Sequence, residues 1–286
     1  MDRVLVAVLC LPLAIGCYAL WDSHMVYERA DMVQWQPYKP TEPEPLSFWE
    51  LQRINPEVCA WLSVYGTNID YPVCKSDKDH PDKYLTTDAK GEYSLSGALY
   101  VDAANDSSFG DFATIVYGHH MENDVMFGQI TDFSKKGFFD EHRYGNLFVN
   151  DQNKGLEFFC YLDADAYDTD IYGYVSGDKE VRQAYLDLLR ARARHWRDKT
   201  TVGPDDRIVL LSTCKEGATN ARAILVGKIC DRRFKNPFIK IPNLGTGVDM
   251  QDGWLGIPLW CWLVLVVFVV LVTMVVYERG KHPRAS

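Results

Sequence analysis

The feature that most constrains this chain is the run from Trp254 to Tyr277, WLGIPLWCWLVLVVFVVLVTMVVY, which carries no charged side chain. About 20 consecutive apolar residues span a bilayer core as a helix, because a helix satisfies its own backbone polar groups in lipid. Trp254, Trp260, Trp262 and Tyr277 sit toward the ends of the run, where amphipathic rings favour the membrane interface. The tail beyond it sets Arg279, Lys281 and Arg284 against Glu278, so the positive-inside rule places it in the cytoplasm. The sequence thus predicts a linker over 241–253, a transmembrane helix over 254–277 and a basic cytoplasmic tail over 278–286. At the other end, Val4 to Leu20 follows Arg3 and is interrupted by Pro12 and Gly16, so residues 1–21 read as a signal anchor or a signal peptide. Either way the intervening chain faces outward from the cell membrane.

Charge and cysteine usage narrow the function. A net charge of −9 argues against a nucleic-acid partner, which calls for a basic surface. Of eight cysteines, Cys10, Cys17 and Cys261 lie in the apolar ends. Cys59, Cys74, Cys160, Cys214 and Cys230 remain in the exported part, an odd set that leaves a thiol free and reactive. The four others allow several pairings. None of the cysteine and histidine spacings is that of a zinc site, so no metal is expected.

Residues 22–46 read as a Pro-rich linker, with Pro37, Pro40, Pro43 and Pro45 favouring an extended path. A helix is expected from Ser47, with Glu50 completing a capping box, and Asn55-Pro56 should end it. From there short β-type runs alternate with turn residues: 61–64, 69–73, 98–101, 113–117, 146–149, 158–162, 170–175, 208–211 and 223–229. That spacing suggests a closed barrel or a sandwich. One long helix, about 178–198, interrupts the pattern; Val181, Tyr185, Leu188 and Leu189 form its apolar stripe, and Arg182, Arg190, Arg192, Arg194 and Arg197 a solvated face.

Two segments carry chemistry. Ala113 to Met121 is a strand ending in Tyr117-Gly118-His119, and Ile208 to Cys214 is a strand ending in a cysteine, with Arg222 opening the next strand. Catalytic groups gather where strands give way to loops. A thiol is only partly ionised at neutral pH, and a neighbouring imidazole and guanidinium favour the nucleophilic thiolate. The imidazolium can then protonate a leaving amine, and a planar guanidinium suits an oxyanion or a substrate carbonyl. Taken singly, each residue has a plainer reading, since a strand-end cysteine is by default buried packing. The combination is what points to catalysis.

Leu211-Ser212-Thr213-Cys214 resembles the Thr-Leu-x-Thr-Cys signature of the sortases, with Arg222 where that family places its arginine and Leu210 where it usually has Thr. Tyr117-Gly118-His119 resembles the family's histidine segment, and His119 rather than His120 follows Tyr-Gly directly. Asn55-Pro56, Trp61, Gly66 to Pro72 and Met126-Phe127-Gly128 look like class B, and the resemblance covers about 47–232. A C-terminal membrane helix is more usual among pilin-polymerising members.

The resemblance implies a mainly β catalytic domain over 47–240: an eight-stranded barrel with an N-terminal helix and a long helix before the cysteine strand, flanked by transmembrane helices. It implies a cysteine transpeptidase that needs no cofactor. Cys214 would cleave a C-terminal sorting signal after its Thr, giving a thioacyl enzyme, and His119 would act as acid and then base. Arg222 would hold the oxyanion or substrate backbone, and Ser212 and Thr213 would line the substrate groove. The implied partners are secreted surface proteins or pilins bearing that signal, and an amine acceptor on a cell-wall peptide or a pilin lysine. Its rivals are a thiol hydrolase with water as acceptor and a non-catalytic membrane-tethered binding module.

Overall fold

The computed structural model describes residues 2–214 and 220–238. It falls into two compact units, one made of residues 1–21 with 240–286, the other of 22–239. The described part of the first unit is the start of helix α1 (Asp2–Ala30), which continues through Pro12 without a break. Among the described residues no helix is long and apolar enough to cross a membrane. The run 254–277, its linker 241–253 and the tail 278–286 lie outside the described residues.

The second unit is built on one closed sheet. Its strands are β1 (Val58–Val64), β2 (Asp70–Lys75), β3 (Leu99–Val101), β4 (Ala113–Tyr117), β5 (Tyr144–Val149), β6 (Gln152–Asp165), β7 (His195–Trp196), β8 (Arg207–Cys214) and β9 (Ala221–Cys230). They run in the order β5-β1-β2-β3-β4-β8-β9-β6, and β6 pairs again with β5, closing an eight-stranded barrel; β7 is a two-residue addition on β6. Closure leaves these eight strands no open edge. The junction of β4 with β8 is parallel, Ala113 facing Ile208 and Tyr117 facing Ser212.

Both faces of the β4–β8–β9 wall are covered, which is why Ile208 to Leu211 reads as a continuous apolar run instead of an alternating one. On one face Val209, Leu211, Ala223 and Leu225 join the main core with Trp61, Tyr71, Phe127 and Phe158. On the other Ile208, Leu210, Ile224 and Val226 meet helix α5 (Lys179–Arg192) through Tyr185, Leu186 and Leu189. Asp178 caps α5 by accepting a hydrogen bond from the Val181 amide at 3.3 Å.

The structure differs from the sequence expectations in four places. Residues 22–46 do not form an extended linker: α1 continues to Ala30, a 3-10 turn covers Met32–Tyr38, and irregular chain is confined to 39–45. The cause is Asp70, whose carboxylate accepts from Gln36 Nε2 at 3.0 Å and Lys39 Nζ at 2.5 Å, while Trp35 is buried. Helix α2 (Leu46–Ile54) lacks the capping box, because the Ser47 hydroxyl donates to the Lys39 carbonyl at 2.7 Å. The stretch 170–175 is not a strand: Asp168 caps a short helix, α4 (Thr169–Tyr172), by accepting from the Asp170 amide. Finally α5 stops at Arg192, and Arg197 is not solvated. Its side chain is 10% exposed and donates to the carbonyls of Phe158 and Phe139, over the Phe139 ring.

Candidate active site

Backbone register brings the three candidate positions to one end of the β4–β8–β9 wall. Beyond the last β4 pair, Tyr117 with Ser212, the Gly118 amide donates to the Ser212 carbonyl at 3.2 Å. Cys214, two residues further along β8, pairs in register with Arg222 on β9. His119 therefore leaves its strand beside the strand that ends in Cys214, and Arg222 enters on the far side of that cysteine. The Arg222 side chain is half-buried, and Nη1 donates to the Ala221 carbonyl at 3.3 Å.

Gly118 is required by contact. A Cβ there would stand 2.4 Å from Leu99 Cδ2 and 2.7 Å from Phe127 Cδ2, both well inside van der Waals distance. The absence of a side chain lets the chain turn tightly over Leu99 and deliver His119 at the rim. The His119 carbonyl accepts from the Phe127 amide at 3.0 Å, and His120 forms a bridge with Met126, so the loop after β4 is tied at its base. The half-buried imidazole of His119 contacts the Leu85 carbonyl through Nε2 at 2.8 Å. A carbonyl can only accept, so Nε2 carries the proton in this arrangement.

Ser212 and Thr213 are each 1% exposed. The Ser212 hydroxyl lies 2.8 Å from that of Tyr172 on α4, and the Thr213 hydroxyl is buried without a hydrogen-bond partner among the described residues. Sequence reasoning missed Tyr172, which lay within the segment read as a strand; the signal was Asp168 one residue ahead of Thr169, a helix cap. Tyr172 stacks on Tyr117 at 6.2 Å, and the Tyr117 hydroxyl donates to Asp102 Oδ2 at 3.0 Å. Burial, reinforced by the Asp102 carboxylate, pushes the Tyr117 phenol well above its ordinary value, so it stays a donor.

The other thiols of the barrel are free and poor nucleophiles. Burial pushes Cys59 up to about 12, and it also raises Cys74, Cys160 and Cys230. Thiolate character governs cysteine reactivity, so all four are disfavoured as nucleophiles.

Searched against models of protein families, the chain matches none. Solved structures give a clear answer. The sortase B from the Type II pilus of Streptococcus pneumoniae is 46% identical, with a TM-score of 0.55; the alignment covers 64% of this chain and 98% of that one. Clostridium perfringens sortase B is 34% identical, with a TM-score of 0.60, over 64% of this chain and all (100%) of that one. Staphylococcus aureus sortase B is 28% identical over 190 residues, 64% of this chain and 74% of its own length. The Staphylococcus aureus sortase B–substrate complex aligns with a TM-score of 0.59 at 26% identity, over 69% of this chain and 88% of that one. The closed eight-stranded barrel and these likenesses together define a cysteine transpeptidase. The chain belongs to the class B sortases.

Proposed function

We propose that Cys214 is the nucleophile of this transpeptidase, His119 its acid and base, and Arg222 the group that holds the developing oxyanion. The observation that carries this reading is the register: β4 pairs with β8 up to Ser212, and Cys214 pairs with Arg222. In the first step the Cys214 thiolate attacks the carbonyl carbon after the Thr of a sorting signal. The C–N bond breaks, and the His119 imidazolium protonates the departing amine. In the second step an acceptor amine attacks the thioester, His119 takes its proton, and the thiolate is released. The Arg222 guanidinium faces the negative oxygen in both steps. Ser212 and Thr213, each 1% exposed, support the end of β8 from beneath the groove that receives the peptide.

The donor is a secreted protein bearing a C-terminal sorting signal. For the acceptor we favour a pilin lysine over a cell-wall peptide, supported by the 46% identity to a pilus sortase. A C-terminal span over 254–277 with a basic cytoplasmic tail would hold the barrel at the outer face of the cell membrane.

The test is mass spectrometry of the purified chain mixed with Leu-Pro-x-Thr and Asn-Pro-x-Thr peptides, with and without an added amine. The expected product is an acyl adduct on Cys214 that the amine converts into a new amide. Conversion to the free acid in the presence of amine would make the chain a hydrolase. Alkylation gives an independent prediction. Iodoacetamide at neutral pH is expected to modify Cys214 and spare Cys59, Cys74, Cys160 and Cys230 in the folded barrel, whereas all should react in denaturant. Labelling of the other four at a rate equal to Cys214 would remove the case for a distinct nucleophile.

A further inference from the structure

Asn55-Pro56 is part of the sequence pattern, yet neither the reaction nor the barrel core accounts for its side chain. Asn55 is 6% exposed, and its Nδ2 donates to the Tyr84 hydroxyl at 2.9 Å and to the Ala89 carbonyl at 3.2 Å. The Tyr84 hydroxyl donates in turn to Glu57 Oε2 at 2.5 Å, and Lys83 Nζ meets the same oxygen at 2.7 Å. Tyr84 is wholly buried, and the Ala98 amide donates to its carbonyl at 3.0 Å. These contacts fasten the 3-10 turn Lys83–Leu85 to the residues just before β1 on one side and to Ala98, just before β3, on the other.

The last residue of that turn is Leu85, whose carbonyl accepts from His119 Nε2 at 2.8 Å. Gly97 lies directly against this peptide, in the left-handed region at φ +58. A Cβ on it would stand 2.2 Å from the Tyr84 oxygen and 2.8 Å from the Leu85 oxygen. The turn therefore sits where it does because residue 97 has no side chain and Tyr84 is hydrogen-bonded from beneath.

We infer that the Leu85 carbonyl is the positioning group for His119, held in place by Asn55, Glu57, Tyr84 and Gly97, and that Nδ1 is the imidazole atom that exchanges protons with the substrate. The inference rests on His119 being the acid and base of the proposed reaction. With Nε2–H committed to the carbonyl, the neutral ring presents a bare Nδ1. Protonation there gives an imidazolium whose Nδ1 proton passes to the departing amine, while Nε2–H stays on Leu85. In the second step the bare Nδ1 accepts the proton of the incoming amine. Fixing one ring nitrogen to set the role of the other is a general device for histidine, performed here by a main-chain oxygen.

The experiment uses the full chain in detergent, labelled with nitrogen-15 histidine, with the His119 signal assigned by its loss in His119→Asn. The expected result is an Nε2–H tautomer in the unaltered chain. Tyr84→Phe and Gly97→Ala should shift His119 toward Nδ1–H and lower kcat about tenfold with KM unchanged, as expected for a misplaced catalytic group. If Gly97→Ala does not fold, Tyr84→Phe, which keeps the ring, still gives both readings. An Nδ1–H tautomer in the unaltered chain, or a His119 signal and kcat unmoved by Tyr84→Phe, overturns the positioning role. Full activity of His119→Asn would instead overturn the assignment of His119 as acid and base, and with it the proton-exchange role of Nδ1.

Discussion

Cys214→Ala is expected to abolish transfer of a sorting-signal peptide to an amine, a fall on the order of 10⁴-fold or more, as for loss of a nucleophile elsewhere. The size of the effect follows from what remains. His119 and Arg222 would still flank the peptide, but no covalent intermediate could divide the exchange of one amide for another into two easier steps. The barrel's other thiols could not stand in, because burial holds Cys59, Cys74, Cys160 and Cys230 in the protonated form. Arg222→Lys should cost less, about 10²-fold, because the charge survives while the planar fork does not. Steady-state rates on one peptide, with adduct detection by mass spectrometry, measure both. Transfer by Cys214→Ala within tenfold of the unaltered chain would sink the assignment.

The second large effect concerns stability. Asp70 lies in the barrel wall, 8% exposed, and its Oδ1 accepts from Trp61 Nε1 at 2.8 Å and the Ser63 hydroxyl at 2.6 Å. Its Oδ2 takes Gln36 and Lys39 from the segment that crosses the barrel. Removing the carboxylate leaves a buried indole N–H and a buried hydroxyl without acceptors, at ~1–3 kcal/mol for each stranded group. Asp70→Ala should therefore destabilise the folded domain by about 4 kcal/mol in urea unfolding, summing the two stranded groups. Asp70→Asn retains one acceptor oxygen and should lose roughly half as much. The segment 32–39 should also become sensitive to protease in both variants. A loss below about 1 kcal/mol for Asp70→Ala, the scale of an ordinary surface change, would show that the segment is held by Trp35 packing instead.

Much of the barrel is legible in the sequence, because its strands are short, apolar and divided by turn residues. Ala113–Tyr117 has the same limits in sequence and structure, and Asn55-Pro56 ends α2 as the geometry before proline requires. The failures share a cause. At 22–46 and 170–175 local composition favoured extended chain, while distant partners impose helix: Asp70 gathers Gln36 and Lys39, and Tyr172 is held by Ser212 and Tyr117. Ser47 had a suitable partner at Glu50 but spends its hydroxyl on Lys39. The candidate site divides in the same way. Cys214, His119 and Arg222 stand at strand ends with recognisable neighbours, so side-chain identity marks them. Leu85 contributes a main-chain oxygen, which every residue possesses, and no side-chain pattern can announce it.

The parallel junction of β4 with β8 bears on when the molecule becomes reactive. Two parallel neighbours cannot be joined by a tight turn, and here β5, β6, β7, a 3-10 turn at Gly128–Ser134 and the helices α3 (Lys136–Glu141), α4 and α5 separate them along the chain. A polypeptide emerging from its N-terminal end exposes the histidine strand early and the thiol strand only once nearly all the barrel has followed. Pairing between segments so distant forms late and slowly. Until it does, the segment that carries His119 does not stand beside the Cys214 strand. Completion of the candidate site therefore waits on the last strands of the barrel, and a chain that stops before β9 holds the cysteine strand without Arg222 in register beside it.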